Sequence, residues 1–447
     1  MVIQFRDRKQ ELETLVKIIR SDRFEFIILY GRRRIGKTEL ILHATHGEKR
    51  IYYLATGENN LNRFYNVCLS HFPEASKLKI EWEVLFDFLI NHVDIIIIDE
   101  FQNLIGEDKN ILSIFQSIID QKLKSTKIKL FLLGSSVSII TSKVLSYQSP
   151  LYGRRTGSMK IKKIAFGDLK EFFPKLNFEQ IIDIYGFAGG IPYYLVRIDN
   201  EFWPWLKKEI GYEATFLRDE IDFLMRYEFS DVGTYKLILE AIANGKTKIN
   251  EIKDHIRVSR TDISPYIKNL IEVDLIKREV PITENVKSRF GRYFLADNFL
   301  KFWFKFIYPN LSSIEEGTFK ADSIKTDYAS YLGYIFEDIC KDLVIKDYPK
   351  VGRWWHKENE IDIVALNDGK KEILFAECKW SDSEVDVGLY NSLKDKAKLV
   401  DWNTGKRIEK FALFSKSGFT SKMAKLAKKE KVMLYDLKKI EKMIKKR

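Results

Sequence analysis

The chain has little cysteine and little histidine, three Cys and six His in 447 residues. Cys68, Cys340 and Cys378 lie far apart in sequence and form no CxxC pair, which argues against a disulfide framework or a structural zinc site. No HxxxH pattern adds to them, so any bound metal is expected to be held by carboxylates. Long apolar runs are also missing. "DIIIIDE" and "FLKFWFKFIY" fall well short of the ~20 residues of a membrane span, and no N-terminal stretch has the order of a signal peptide; a cytoplasmic protein with no membrane partner is expected. Internal repeats and low-complexity tracts are absent. Nor is there a surplus of either charge before the end of the chain. From Asn391 to Arg447 there are 18 Lys and Arg against 6 Asp and Glu, which accounts for the whole formal charge of +12. A basic end region suggests a polyanionic partner, most simply DNA; solvated faces of Lys-rich helices are the other reading. Lys394 and Lys396, on "LYNSLKDKAKLVDW", are the candidates for salt-sensitive contacts to a phosphate backbone.

What is present is periodicity. Residues 1–175 alternate apolar strands ("FEFIILY", "RIYYLA", "VDIIIIDE", "KIKLFLLGSS") with helical patterns, which implies a parallel α/β sheet. Residues 176–230 read as entirely helical. Residues 231–310 contain three short helical patterns followed by the β-like "LIKREV", the order of a winged helix. Its third helix begins at Thr261 and carries Lys268, with Arg257 and Arg260 just before it, so a groove or phosphate contact is one reading and interior packing the other. After a linker around "PNLSSIEEGTFKADS", residues 318–447 form a second α/β unit.

"FEFIILYGRRRIGKTELIL" is strand, then Gly31-x-x-x-x-Gly36-Lys37-Thr38, then helix. A loop of this kind, here Gly31, Arg34, Ile35, Gly36, Lys37, Thr38 and Glu39, wraps backbone N–H groups around phosphates at a helix N-terminus. Lys37 is expected to reach the terminal phosphates of ATP and Thr38 to offer its hydroxyl to Mg²⁺. At the end of the isoleucine strand, Asp99 is suited to the Mg²⁺ shell and Glu100 to polarising the attacking water. Ser135 and Ser136 end the next strand, where a γ-phosphate sensor would sit. Arg154 and Arg155 in "PLYGRRTG" are candidates for the transition-state cation, in cis or from a neighbouring subunit of a homo-oligomer.

The run "FRDRKQELETL", the phosphate loop, "IIIIDEFQNL", "LLGSSVSII", "PLYGRRTG" and "GGIPYYL" resembles, in that order, the archaeal-type P-loop ATPases of the AAA+/STAND assemblage. The resemblance implies that Arg8 and Glu11 lie beside the adenine pocket and that Gly190 and Pro192 approach the nucleotide from a helical lid.

The last unit poses a separate question. "EILFAECKW" places Glu377 and Lys379 in an apolar strand, where alternate side chains share a face. Fifteen residues earlier "EIDIVALN" carries Asp362, and the intervening "NDG" is a hairpin signal. If those strands pair, Asp362 and Glu377 can converge on one Mg²⁺ or Mn²⁺, with Lys379 orienting or activating water; ordinary strand-edge salt bridges are the alternative. The arrangement resembles the PD-(D/E)xK nuclease core, which implies Glu337 as the helical third carboxylate. Ile361 stands where that motif has Pro. Together these features resemble an archaeal ATPase family that ends in a nuclease-like domain. The expected fold is α/β: a P-loop NTPase sheet with helical lid, a winged-helix domain, and a restriction-endonuclease-like α/β domain. The expected function is ATP hydrolysis controlling a DNA-binding, Mg²⁺-dependent nuclease-like domain. A nucleotide-dependent switch or DNA-binding regulator with a non-cleaving end domain is the alternative.

Overall fold

A computed structural model of the chain describes residues 8–199, 201–229, 231–256 and 262–445. The chain divides into two compact units. The first comprises residues 1–164, 191–196 and 272–274; the second comprises 165–190, 197–271 and 275–447. The expected lid, winged-helix and nuclease-like segments thus fall almost wholly within the second unit.

The first unit is built on five strands, β1 (Glu25–Tyr30), β2 (Arg50–Leu54), β3 (Ile95–Asp99), β4 (Lys129–Gly134) and β5 (Gly157–Lys160), in the order β2-β3-β4-β1-β5. Every pairing is parallel. β3 and β4 are buried along their whole lengths, as expected of central strands covered on both faces. Two helices bear on the site: α1 (Lys9–Ile19) and α2 (Lys37–Ala44), which starts directly after the phosphate loop. In this sheet order β1 lies between β4 and β5, so the loop after β1 opens at the C-terminal ends of the strands, where doubly wound sheets bind ligands.

In the second unit α3 (Phe178–Ala188) begins with a reciprocal capping box between Asn177 and Gln180, which satisfies two backbone donors. Three further helices, α4 (Val232–Ala243), α5 (Ile249–Ile256) and α6 (Ser264–Glu272), lead into an antiparallel pair, β6 (Ile276–Glu279) and β7 (Arg292–Leu295). Lys268 is exposed on α6; Arg257, Arg260 and Thr261 lie outside the described residues. The aromatic run that follows forms α7 (Asn298–Phe302) and a wider helical turn, with Phe299, Phe302 and Trp303 fully buried. The expected linker is partly structured, since Leu311–Glu315 is helical and buries Ile314.

The long helix α8 (Ser323–Val344) then crosses a second sheet of β8 (Lys350–His356), β9 (Asn359–Asn367), β10 (Glu372–Lys379), β11 (Ile408–Ser415) and β12 (Met433–Asp436), in the order β12-β11-β10-β9-β8. β8, β9 and β10 are antiparallel neighbours, whereas β10, β11 and β12 run parallel. The NDG turn closes the β9-β10 hairpin, with Glu372 opposite Asn367 and Ala376 opposite Ile363. Helices α9 (Val387–Ala397), α10 (Ser421–Glu430) and α11 (Leu437–Lys445) complete this part. Among the described residues no helix is long and apolar enough to cross a membrane.

Candidate nucleotide site and acidic centre

The phosphate loop is shaped by residues that tolerate a left-handed backbone. Gly36 has φ 85° and Arg34 φ 68°, and a side chain on Gly31 would put its Cβ 2.5 Å from the Ile161 carbonyl oxygen. Gly31 therefore permits the close approach of loop and neighbouring backbone. Lys37 is buried, and its ammonium donates to the carbonyls of Gly31 (2.9 Å) and Arg32 (3.2 Å). From outside the loop, Arg8 donates to the Ile35 carbonyl at 2.9 Å and pairs with Glu11 at 3.1 Å. The Arg34 guanidinium lies 4.0 Å from the centroid of the Tyr193 ring, and Pro192 sits in van der Waals reach of a side chain on Gly36. Glu39 is exposed in the first turn of α2.

At the end of β3 the two acids diverge. Asp99 is 1% exposed. It accepts from the Thr38 hydroxyl (2.5 Å), the Tyr52 hydroxyl (3.1 Å) and the Glu100 backbone N–H (2.8 Å). Burial raises its pKa, and the hydrogen bond from Thr38 opposes the shift. Glu100 adopts φ 54°, turning its carboxylate to accept from Ser135 and Gln102, while Gln102 also donates to Ser135 at 3.0 Å. The hydroxyl of Thr38 and the carboxylate of Asp99 are hard oxygen donors at one helix N-terminus, a set that fits Mg²⁺.

In the second unit, α8 presents Glu337, β9 presents Asp362 and β10 presents Glu377. Asp362 accepts from the Cys378 backbone N–H at 2.8 Å and lies close enough to Glu377 to raise its pKa. Burial, and then the charge of Asp362, push Glu377 up to about 7 and Glu337 up to about 8. Each Glu nevertheless has a cation: Arg353 holds Glu337 at 2.7 Å and Lys396 holds Glu377 at 2.8 Å. Among the described residues no three Asp, Glu, His or Cys side chains are grouped to hold a metal ion. As arranged, the three carboxylates are not gathered around one cation position, and one oxygen each of Glu337 and Glu377 is paired with Arg353 or Lys396. Lys379 is exposed, so the ammonium at Glu377 is that of Lys396 and not, as the ExK spacing suggests, that of Lys379. Lys394 is likewise engaged, with Glu430 at 2.9 Å.

These raised values make a pH prediction. A carboxyl whose folded pKa lies above its ordinary 4.5 contributes stability that is complete below about pH 4.5 and is lost as pH rises through the folded value, here about 7 for Glu377. The stability of Glu377→Gln relative to wild type, measured by urea unfolding, is therefore expected to improve from pH 5 to about pH 7 and to level off above it. A constant difference would contradict the shift.

Comparison with known proteins gives two matching families. Residues 5–198 match a family described as an ATPase domain predominantly from Archaea, and residues 303–389 match DUF234, a family of archaeal and bacterial proteins of unknown function. An uncharacterized protein of Methanocaldococcus jannaschii is 50% identical over 424 residues, covering 91% of this chain and 96% of its own. The chain belongs to the same family as that protein, and its residues 5–198 carry the archaeal ATPase domain. An uncharacterized ATP-binding protein of that archaeon is 50% identical over 40 residues, which are 9% of this chain and 68% of its own. The Walker-type ATPase structure from Pyrococcus abyssi is 20% identical, with a TM-score of 0.49 over 67% of this chain and 96% of its own.

Within this domain the structure brings Lys37, Thr38, Asp99, Glu100 and Ser135 together, whereas Arg154 and Arg155 bind other groups. Arg154 is bound to Asp120 at 2.7 Å and to the Pro150 carbonyl at 2.8 Å, and Arg155 donates to the Leu145 carbonyl at 3.3 Å. Sequence reasoning missed Tyr52 and Gln102. Gln102 had a signal, standing two residues after the "DE" pair; Tyr52, on the neighbouring strand, had none. It also missed that Cys340 and Cys378, remote in sequence, are both buried in the second unit, close enough for each thiol to influence the other's pKa.

Proposed function

We propose that the protein binds and hydrolyses ATP at the phosphate loop and uses the nucleotide state to govern a DNA-binding end domain that does not cleave in the arrangement seen. The hydrogen-bonded chain Thr38–Asp99 beside Glu100–Ser135–Gln102 carries the first half of this reading. In it the loop N–H groups and Lys37 hold the phosphates, Thr38 and Asp99 hold Mg²⁺, and Glu100 orients water. Mg²⁺ neutralises charge on the phosphoryl oxygens when bound. Ser135 and Gln102 fix the Glu100 carboxylate so that it need not reorganise when water arrives. Arg154, engaged with Asp120, would have to be released to serve as a transition-state cation.

The second half rests on Arg353 and Lys396, each of which pairs with one of the two glutamates where a nuclease centre would hold a metal ion. Three helices followed by the β6-β7 pair support a winged-helix module for the middle segment, and the Lys-rich helices after β10 support a polyanionic partner. A metal-dependent nuclease of PD-(D/E)xK type is the second reading, favoured by the burial of Glu337 and Glu377 around Asp362. Plasmid nicking assayed with Mg²⁺ and Mn²⁺, with and without ATP, separates them. The non-cleaving reading expects no nicking above that of Asp362→Ala; wild-type nicking that Asp362→Ala abolishes would establish the nuclease and overturn it.

A further inference from the structure

The second unit contains a cavity of about 540 Å³ between α4, β7 and α8, within the roughly 300–1,000 Å³ of small-molecule sites. Five cationic side chains line it: Lys277, Arg292, Lys301, Lys305 and Arg353. Only two lining carboxylates, Asp338 and Glu360, oppose them. Glu360 is taken by Arg292 at 2.9 Å. Asp338 alone faces Lys277 at 3.7 Å, Lys301 at 3.4 Å and Arg353 at 3.7 Å. All three distances exceed the roughly 2.7–2.9 Å of a charge-assisted hydrogen bond. Lys277 has a closer partner in Glu279 (2.6 Å) and Arg353 in Glu337 (2.7 Å). Lys301 has no carboxylate besides Asp338, and Lys305 has none within ion-pair distance, among the described residues.

Lys301 and Arg353 are largely buried, with side chains 19% and 7% exposed. Buried cations cost several kcal/mol unless they are paired; Lys277 and Arg353 have their close carboxylates, Glu279 and Glu337, outside the cavity lining, and within the lining Asp338 cannot make close contacts to Lys277, Lys301 and Arg353 at once. A tetrahedral oxyanion can, because its oxygens point in several directions. Flat apolar surface is also at hand. Phe294 lies 5.5 Å beneath the Arg353 guanidinium, and Tyr334, another lining residue, is 63% exposed.

We propose that this cavity is an anion site that takes the phosphoryl group of a nucleotide among Lys277, Lys301 and Arg353, with Lys305 guiding entry. The site is separate from the phosphate loop and depends on neither ATP turnover nor cleavage. Its occupant is a free mononucleotide or the phosphorylated end of a strand; the phosphoryl chemistry is the same. Equilibrium binding to the full chain at low salt tests it, with inorganic phosphate, 5′-thymidine monophosphate, and oligothymidylate with and without a 5′-phosphate as probes. Saturable binding of a phosphorylated probe is expected, weakened tenfold or more in Lys301→Met and in Lys305→Glu. The latter alters an exposed residue and so spares the fold. Lys37→Ala is expected to retain this binding, which keeps the outcome distinct from failure of the ATPase site. Tighter binding of the monophosphate identifies a free nucleotide, and tighter binding of the phosphorylated oligomer identifies a strand end. No saturable binding by wild type, or affinity unchanged in both lysine variants, would overturn the proposal.

Discussion

Glu100→Gln is expected to lower ATP turnover by roughly 10²–10⁴-fold, the range for loss of a positioned general base, while leaving ATP binding nearly intact. The substitution keeps the shape of the side chain and an oxygen able to accept from Ser135, so the network at the strand end survives. What is lost is the negative charge that polarises water. Thr38 is held by Asp99, and Lys37 by the carbonyls of Gly31 and Arg32, so the binding elements are expected to stay as they are. Single-turnover hydrolysis measured beside equilibrium ATP binding separates the two effects. Equal losses in both would mean that Glu100 holds the site together and does not act on water.

Arg353→Met carries the largest expected cost in stability. The guanidinium is 7% exposed and stands between Glu337 at 2.7 Å and Asp338 at 3.7 Å. Its removal strands buried negative charge, for which about 3–5 kcal/mol is the usual penalty. Burial opposes ionisation of Asp338, yet Lys301, Lys277 and Arg353 together hold its pKa far below the carboxylate range; without Arg353 part of that restraint goes. Both acids would then take protons more readily in the folded state, so the deficit should shrink as pH falls. Urea unfolding of the variant is expected to show a larger loss at pH 8 than at pH 5. A loss under 1 kcal/mol, or one that grows on acidification, would mean that the remaining lysines carry the pairing.

The parts of this protein that were legible in advance are those governed by local pattern. Four consecutive isoleucines before Asp99 could only be a strand covered on both faces, and Gly31, Gly36 and Lys37 specify their loop by backbone conformation. The NDG turn likewise specified the β9-β10 pairing, because a tight turn fixes the register of the strands it joins. What escaped depends on how separate elements cross. Lys396 lies on α9 and reaches Glu377 only because that helix packs over β10; no spacing rule relates the two positions. Arg353 meets Glu337 for the same kind of reason, a strand passing beneath α8. Lys379 has the right alternation to accompany Glu377 but stands at the strand end, where its ammonium stays in water. The charge surplus after Asn391 was read as available for a polyanion or as solvated helix faces, yet Lys396 pairs with the buried Glu377 and Lys394 with Glu430 at the surface. Composition counts charges and does not say which are already paired.

The central claim is that the loop from Gly31 to Thr38 is a working ATP site, and steady-state phosphate release with Mg²⁺ present tests it most directly. Wild type is expected to release phosphate from ATP, with activity lost when EDTA removes the metal and in Lys37→Ala. Phosphate release that proceeds equally well in Lys37→Ala, or without a divalent cation, would contradict the account.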